Sequence, residues 1–480
     1  MRDLAVRKPW IRRLLRILAV LLLLGLGAGI VGWYKLFREV AIHYESEEDH
    51  FKYGSVGTER PQGIPYHVWK ALPALFPEKL PGANGYASFG FLWEAGRDAP
   101  IGMPQKIVGF PRLGINCALC HTATYRSSAS EPQKIVLGAP SSTFDLGRYL
   151  EFLTGCASDP KFTPENVLRE IKKTEELSLL DSVLYRFLII PQTKKALLKQ
   201  KQDLAWMKEH GRPPNGPGRV DPFNPAKFAI LKLPDDGSIG NSDFVPLWNW
   251  KSRGGFGLHW DGLNTSLTEV FLNSGIGNGA DEKSIDIPGL KRLQEYVTQL
   301  DPAKYPFTTD PQLVSRGAGI FQANCALCHG FGNAKTGQPL PLSEVETDGY
   351  RLASWTKEAA DKFNGLTNYP WRYTHFRKTE GYVAVPLDGI WIRAPYLHNG
   401  SVPSLADLLA SPEVRPKKFL RGYDVYDPLK VGFVSEGSDA GRAGFEYDTS
   451  LPGNSNQGHA FGTQLPPEDK QALIEFLKTL

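Results

Sequence analysis

The chain is poor in methionine and cysteine, and it has no excess of either charge outside one short tail. Met1, Met103 and Met207 are its only methionines, so nothing beyond residue 207 can offer a thioether. Five cysteines in 480 residues are too few for a disulfide-built scaffold. The formal charge of +4 is local: Arg2, Arg7, Lys8, Arg12, Arg13 and Arg16 face only Asp3, and the rest of the chain is nearly neutral. Nucleic-acid binding therefore has no compositional support. Only one apolar run approaches a bilayer's thickness, which excludes a multi-span membrane protein. The remaining composition, 41% hydrophobic and 22% charged, is that of a globular chain of two or three domains.

That single run, Ile17 to Tyr34, is uncharged throughout and follows the basic residues. Its length suits one membrane-spanning helix. The basic flank (residues 1–16) orients the N-terminus to the cytoplasm, with Trp33 and Tyr34 at the far interface. A cleaved signal peptide is the rival, but no A-x-A-like site follows the run. Both readings export everything after residue 40. Residues 35–62, with Glu45, Glu47, Glu48 and Asp49, read as a polar stalk. The short apolar stretch Phe187 to Ile190, before Pro191, reads as a buried helix end.

Four of the cysteines fall in two copies of one hexapeptide. Asn116-Cys117-Ala118-Leu119-Cys120-His121 returns as Asn324-Cys325-Ala326-Leu327-Cys328-His329. Cys-x-x-Cys-His is the attachment signature of c-type haem. The two thiols take the vinyl groups, and the adjoining His121 or His329 reaches the iron. Two Cys-x-x-Cys pairs could instead hold one zinc, although zinc does not require a His after each second Cys. The cofactor expectation is two covalently bound haem c. Cys156 is left over and reads as a small buried residue.

Around these motifs the chain reads as mainly α with long irregular loops. Thr163-Pro164 opens helices that run to about Glu209, Asp286 to Leu300 is another helix, and Asp301 to Asp310 is a linker. Asp310-Pro311 caps a helix that delivers the second motif, with Gly317 and Phe321 on one face. Pro466-Pro467-Glu468 opens a closing helix carrying Leu473, Ile474, Leu477 and Leu480. The first motif, preceded by Gly109, Pro111 and Gly114, has no such delivering helix. The expected domains are 63–304 and 305–480, one haem in each.

With no Met after 207, the second iron needs a His opposite His329 unless Met103 or Met207 crosses over. The candidates are His375, His398 and His459. For the first iron the segment of interest is Gly257-Leu258-His259-Trp260-Asp261-Gly262-Leu263-Asn264.

The opening helix, haem motif and closing helix resemble a cytochrome c domain, whose terminal helices cross at a small residue. Ala394-Pro395-Tyr396-Leu397-His398-Asn399-Gly400-Ser401 resembles the Pro-Tyr-x-His-x-Gly segment of the di-haem cytochrome c peroxidase superfamily. The run from Arg421 to Pro428, with Gly458-His459, resembles its rubber-oxygenase (RoxA-like) branch. The resemblance implies a bis-His second haem with His459 as distal ligand, His398 being the alternative. It also implies that Trp260 lies on the distal side of the first haem. That branch has an aromatic where this chain has His259, which makes rubber cleavage doubtful and gives His259 and Trp260 a catalytic reading.

The expectation is a single-pass inner-membrane cytochrome with periplasmic haem domains that transfers electrons between two haems. Its partner would be a redox protein or a quinone-linked respiratory component. A peroxidase or oxygenase at the first haem is the alternative, and a structural or sensory haem subunit the third reading.

Overall fold

The computed structural model describes residues 9–480, so residues 1–8 of the expected basic tail lie outside the described part. The chain is mainly helical, with short two-stranded pairs and one four-stranded sheet. The first helix, Pro9–Leu36, is exposed to solvent along its apolar length and is long and apolar enough to cross a membrane.

Its end is sewn into the sheet. Strands β1 (Glu39–Ala41), β2 (Ile64–Pro65), β3 (Gln105–Val108) and β4 (Phe110–Leu113) pair antiparallel in the order β1-β3-β4-β2. Gly109, at φ +74°, turns β3 into β4 and donates its N–H to the Arg38 carbonyl at 2.7 Å. A Cβ there would meet the Leu36 carbonyl carbon at 2.4 Å, so only glycine fits against the helix end. Strand β4 then leads directly into the first Cys-x-x-Cys-His.

The expected stalk is instead part of the body. Glu47, Glu48 and Asp49 line the first turn of a helix, Glu47–Tyr53, capped by Ser46. Its last residues, His50, Phe51, Lys52 and Tyr53, are buried. The acidic cluster that suggested a stalk is the solvated start of an amphipathic helix.

The other helices follow their sequence signals. Thr163 Oγ1 accepts from the Asn166 N–H and caps Pro164–Thr174, and Asp286 caps Ile287–Gln299. Asp310 caps Pro311–Asn324, which crosses the closing helix, Pro467–Leu477. The crossing point is Gly317, where a Cβ would stand 2.0 Å from the Ala472 carbonyl oxygen. Phe321 from one helix and Phe476 from the other meet at 5.2 Å between ring centres.

The cores do not respect a boundary after residue 304. One cluster joins Phe51, Leu290 and Leu293 to Trp355, Phe363 and Phe376. Another joins Ala123, Tyr125 and Trp248 to Trp391, Tyr426 and Leu473. Tyr125 stands edge-on to Trp391 at 5.2 Å, so aromatic packing runs across the expected division. The expected buried helix end at Phe187–Ile190 is half right: Ile189 and Ile190 are buried, whereas Phe187 and Leu188 face outward.

Gly317→Val should force the crossing helices apart. We expect a loss of about 1–3 kcal/mol or more, the range for an overpacked contact, read as a lowered midpoint in denaturant unfolding.

Candidate haem centres

The two identical hexapeptides are held by different local structures. The first sits on a short 3-10 turn, Cys117–Leu119, after β4. Buried Asn116 stabilises that turn, accepting from the Ala118 N–H and donating to the Phe51 and Gly54 carbonyls. The second extends the helix Pro311–Asn324. Among the described residues, only exposed Glu209, His210 and Asp235 form a trio of His, Cys or acidic side chains close enough to share an ion. The four motif cysteines therefore do not converge on one zinc. Burial pushes the Cys117 thiol up to about 11 and the Cys120 thiol up to about 12, so both are neutral thiols near pH 7. Cys156 is fully buried in the aromatic core around Trp69, as is Met103.

Each motif histidine is aimed by a valine carbonyl. His121 Nδ1 donates to Val245 O at 2.8 Å, and His329 Nδ1 donates to Val385 O at 2.7 Å. This fixes the tautomer and leaves each Nε2 lone pair free for a metal. Burial, opposed by the Val245 carbonyl and aided by nearby His259, pulls His121 down to about 4.

Opposite His329 stands His459, with ring centres 6.2 Å apart. Two imidazoles sharing one metal through nitrogens at about 2 Å put their ring centres roughly 6 Å apart. The pair has the spacing of a bis-His iron site. Burial, then the charge of His329, brings His459 down to about 4, so it is neutral and able to ligate. Its loop is held by Arg415, whose Nη1 donates to the Asn456 and Gly458 carbonyls and Nη2 to the His459 carbonyl.

The other candidates are otherwise engaged. His398 stacks on Tyr382 at 4.0 Å and donates Nε2–H to its hydroxyl at 3.0 Å. That hydroxyl donates onward to the Asp348 carbonyl at 2.7 Å. His375 is a half-exposed partner of Glu269 at 2.7 Å. Met207 lies on the 3-10 turn Ala205–Lys208.

His259 is half-buried and close enough to His121 to act on its charge. Burial, with Asp261 raising and Arg351 lowering, brings it down to about 4. Its neighbour Trp260 lies between the two centres. Trp260 Nε1 donates to Asp243 O at 2.7 Å, and its carbonyl accepts from the Val383 N–H at 2.8 Å. Asp243 and Val383 stand two residues before the valines that aim His121 and His329. Trp260 also packs in the small cluster that includes Cys328.

A second repeat, unnoticed in the sequence reading, surrounds these contacts. Val245-Pro246-Leu247 leads to Arg253 as Val385-Pro386-Leu387 leads to Arg393. Each is followed by the same turn. Leu258 bridges Asn264 as Tyr396 bridges Val402, with left-handed residues at His259 and Gly262 and at Leu397 and Gly400. A serine-capped helix follows each, from Ser266 and from Ser404. The recurring Val-Pro-Leu with an arginine at the ninth position was the available signal.

Both arginines grip one carboxylate. Arg253 Nη2 and Arg393 Nη2 reach Asp388 Oδ1 at 2.7 and 2.9 Å, and Asn249 Nδ2 reaches Oδ2 at 3.0 Å. Burial works against the Asp388 carboxylate, but Arg393 and Arg253 outweigh it and hold the group below its ordinary 3.8. Its stabilising contribution is therefore complete above that value and is lost as pH falls through the lower folded one.

Two outcomes follow. Asp388→Asn should lower stability at pH 7, and its gap from the parent chain should narrow below pH 3.8 in acid-unfolding curves. His459→Ala should let the reduced protein bind carbon monoxide, seen by absorbance. His398→Ala should not, costing only a buried hydrogen bond worth about 1–3 kcal/mol.

A family model described as RoxA-like, cytochrome c-like matches residues 381–420, the segment spanning Val385, Asp388, Arg393 and His398. A cytochrome c-like domain implies haem c, and with it haem-binding electron transfer. Among curated proteins, the uncharacterized protein y4iJ of Sinorhizobium fredii is 48% identical over 108 residues, 21% of this chain and 18% of that protein. The uncharacterized protein y4iM of the same organism is 31% identical over 250 residues, 45% of this chain and 56% of its own length. The chain thus spans less than two thirds of either relative. What these matches identify is a RoxA-like, cytochrome c-like segment around the second centre.

Proposed function

We propose that the chain is a membrane-anchored di-haem cytochrome c of the di-haem cytochrome c peroxidase superfamily. In this reading it passes electrons between two covalently held haems on the periplasmic side of a bacterial inner membrane. Cys117, Cys120 and His121 would hold the first haem within residues 63–304. Cys325, Cys328, His329 and His459 would hold the second within 305–480. A haem c in each position supplies one-electron exchange at its iron.

The chain's own residues do the rest. Val245 and Val385 orient the motif imidazoles, and Arg415 keeps the His459 loop in register. A His pair without Met poises the second haem at low potential. Electrons would arrive from, or leave to, a redox protein or a quinone-linked component.

The observation that carries this reading is Trp260, hydrogen-bonded by its indole to Asp243 and by its carbonyl to Val383, each two residues before the valine that aims a motif histidine. An aromatic ring shared by both supports is a short covalent and hydrogen-bonded route between the centres. A second reading rests on His259, a half-buried neutral imidazole near His121. It could take a proton from bound peroxide, general-base help worth about 10²–10⁴-fold in rate.

Cys117→Ala with Cys120→Ala should leave one covalent haem after denaturation, counted by mass spectrometry, and two remaining would refute the assignment. Trp260→Leu should keep both haems and slow electron exchange between them after flash reduction. Electron paramagnetic resonance of the oxidised protein separates the readings: two low-spin signals support transfer alone. A high-spin signal, with peroxide turnover lost in His259→Ala, supports an enzyme.

A further inference from the structure

The segment Leu179–Ile190 has two apolar sides, and only one is used by the core. Tyr185, Ile189 and Ile190 are buried in the first aromatic cluster. On the other side, Leu179 is 84% exposed, Phe187 71%, Val183 45% and Leu180 42%. Residues 179, 183 and 187 are spaced four apart along continuous helical backbone, so they form one stripe. A row of large apolar side chains held out from a folded body marks an interaction surface.

Its location names the partner. Lys35, at the end of the membrane-spanning candidate, pairs with Asp181 at 2.8 Å. Asp181 is further fixed by the Ser178 hydroxyl at 2.6 Å. The stripe therefore starts beside the point where the apolar helix ends, next to Trp33, Tyr34 and Phe37, which are themselves exposed. The same helix end is tied to β3 through Gly109, so the body cannot swing the stripe away. Exposed Lys172, in the last turn of the helix just before the stripe, supplies positive charge suited to phospholipid headgroups, while Lys173 beside it is paired with Glu170 at 2.8 Å.

We propose that Leu179, Leu180, Val183 and Phe187 are a second membrane contact. They lie in the interface of the leaflet from which the anchor emerges, so that two points rather than one hold the body on the bilayer. This rests on the anchored reading of Pro9–Leu36. An amphipathic face dipping into the headgroup and acyl boundary needs no spanning length, only exposed apolar side chains at the right height.

The test uses full-length holoprotein in vesicles of phosphatidylethanolamine and phosphatidylglycerol. The photoreactive substitution Phe187→p-benzoylphenylalanine is compared with the same substitution at Leu22 in the anchor and at exposed Lys251. Photolysis followed by mass spectrometry should give a one-phospholipid adduct at 187 and at 22, and none at 251. An adduct at 22 without one at 187 overturns the second contact and leaves the anchor intact. No adduct at 22 overturns the anchor and this proposal with it. A cross-link from 187 to another copy of the chain assigns the stripe to self-association and overturns the lipid contact. As a second variant, Leu179→Glu with Phe187→Glu, both at exposed positions, should reduce lipid labelling from a probe at Val183 to the level at 251.

Discussion

The carboxylate of Asp388 is the constraint on which the two centres depend. It is buried, and alone it would be expensive to ionise. Two arginines from corresponding places in a repeated segment share it, an asparagine takes its second oxygen, and the backbone carbonyl of the same residue accepts from the Trp248 indole. The next N–H, that of Gly389, donates to the chain's last carbonyl, Leu480. Asp388 and Gly389 together thus join both copies of the repeat to the segment after the closing helix. A buried charge cluster of this kind is poor evidence for stability, since hydrophobic replacements often do as well. What it secures is registry: the segment carrying Val245 cannot slide against the segment carrying Val385 without stranding a charge.

On the proposed reading, registry matters because electron exchange over protein distances is sensitive to small displacements of the route. Trp260 is held through its indole N–H and its carbonyl by those two segments. Asp261, the next residue, is fixed by buried Arg351, which also donates to Ser242. Trp260 is therefore a rigid part of the fold, not a side chain free to change rotamer. His259 lies in the same turn, in a left-handed conformation that its counterpart Leu397 also adopts. The same turn recurs in both segments, with His259 at its second position in one and Leu397 in the other.

Much of this was legible in the sequence. The Cys-x-x-Cys-His motifs, the capped helices and the Gly317 crossing are local signals, each decided within a few residues. His459, in a glycine-flanked loop, stands across from His329, while the His398 ring is taken up by Tyr382. That the cores cross the expected boundary after residue 304 was not legible, because contacts such as Tyr125 against Trp391 join residues far apart in sequence. The stalk was misread because three acidic residues announce solvent, yet a helix hides its opposite face four residues later. Phe187 was misread because an apolar run says that a surface will be covered, not whether protein covers it.

The Gly109 turn has a consequence of its own. With the helix end, β1, β3 and β4 joined by backbone hydrogen bonds, and only three residues between Leu113 and Cys117, there is no slack between the anchor and the first centre. On the anchored reading, this works like a bracket rather than a tether. The first centre keeps a fixed height and compass bearing as the molecule drifts laterally. A partner confined to the same membrane would search in two dimensions and meet one face of this protein every time, whereas a soluble carrier would find its docking face always turned the same way.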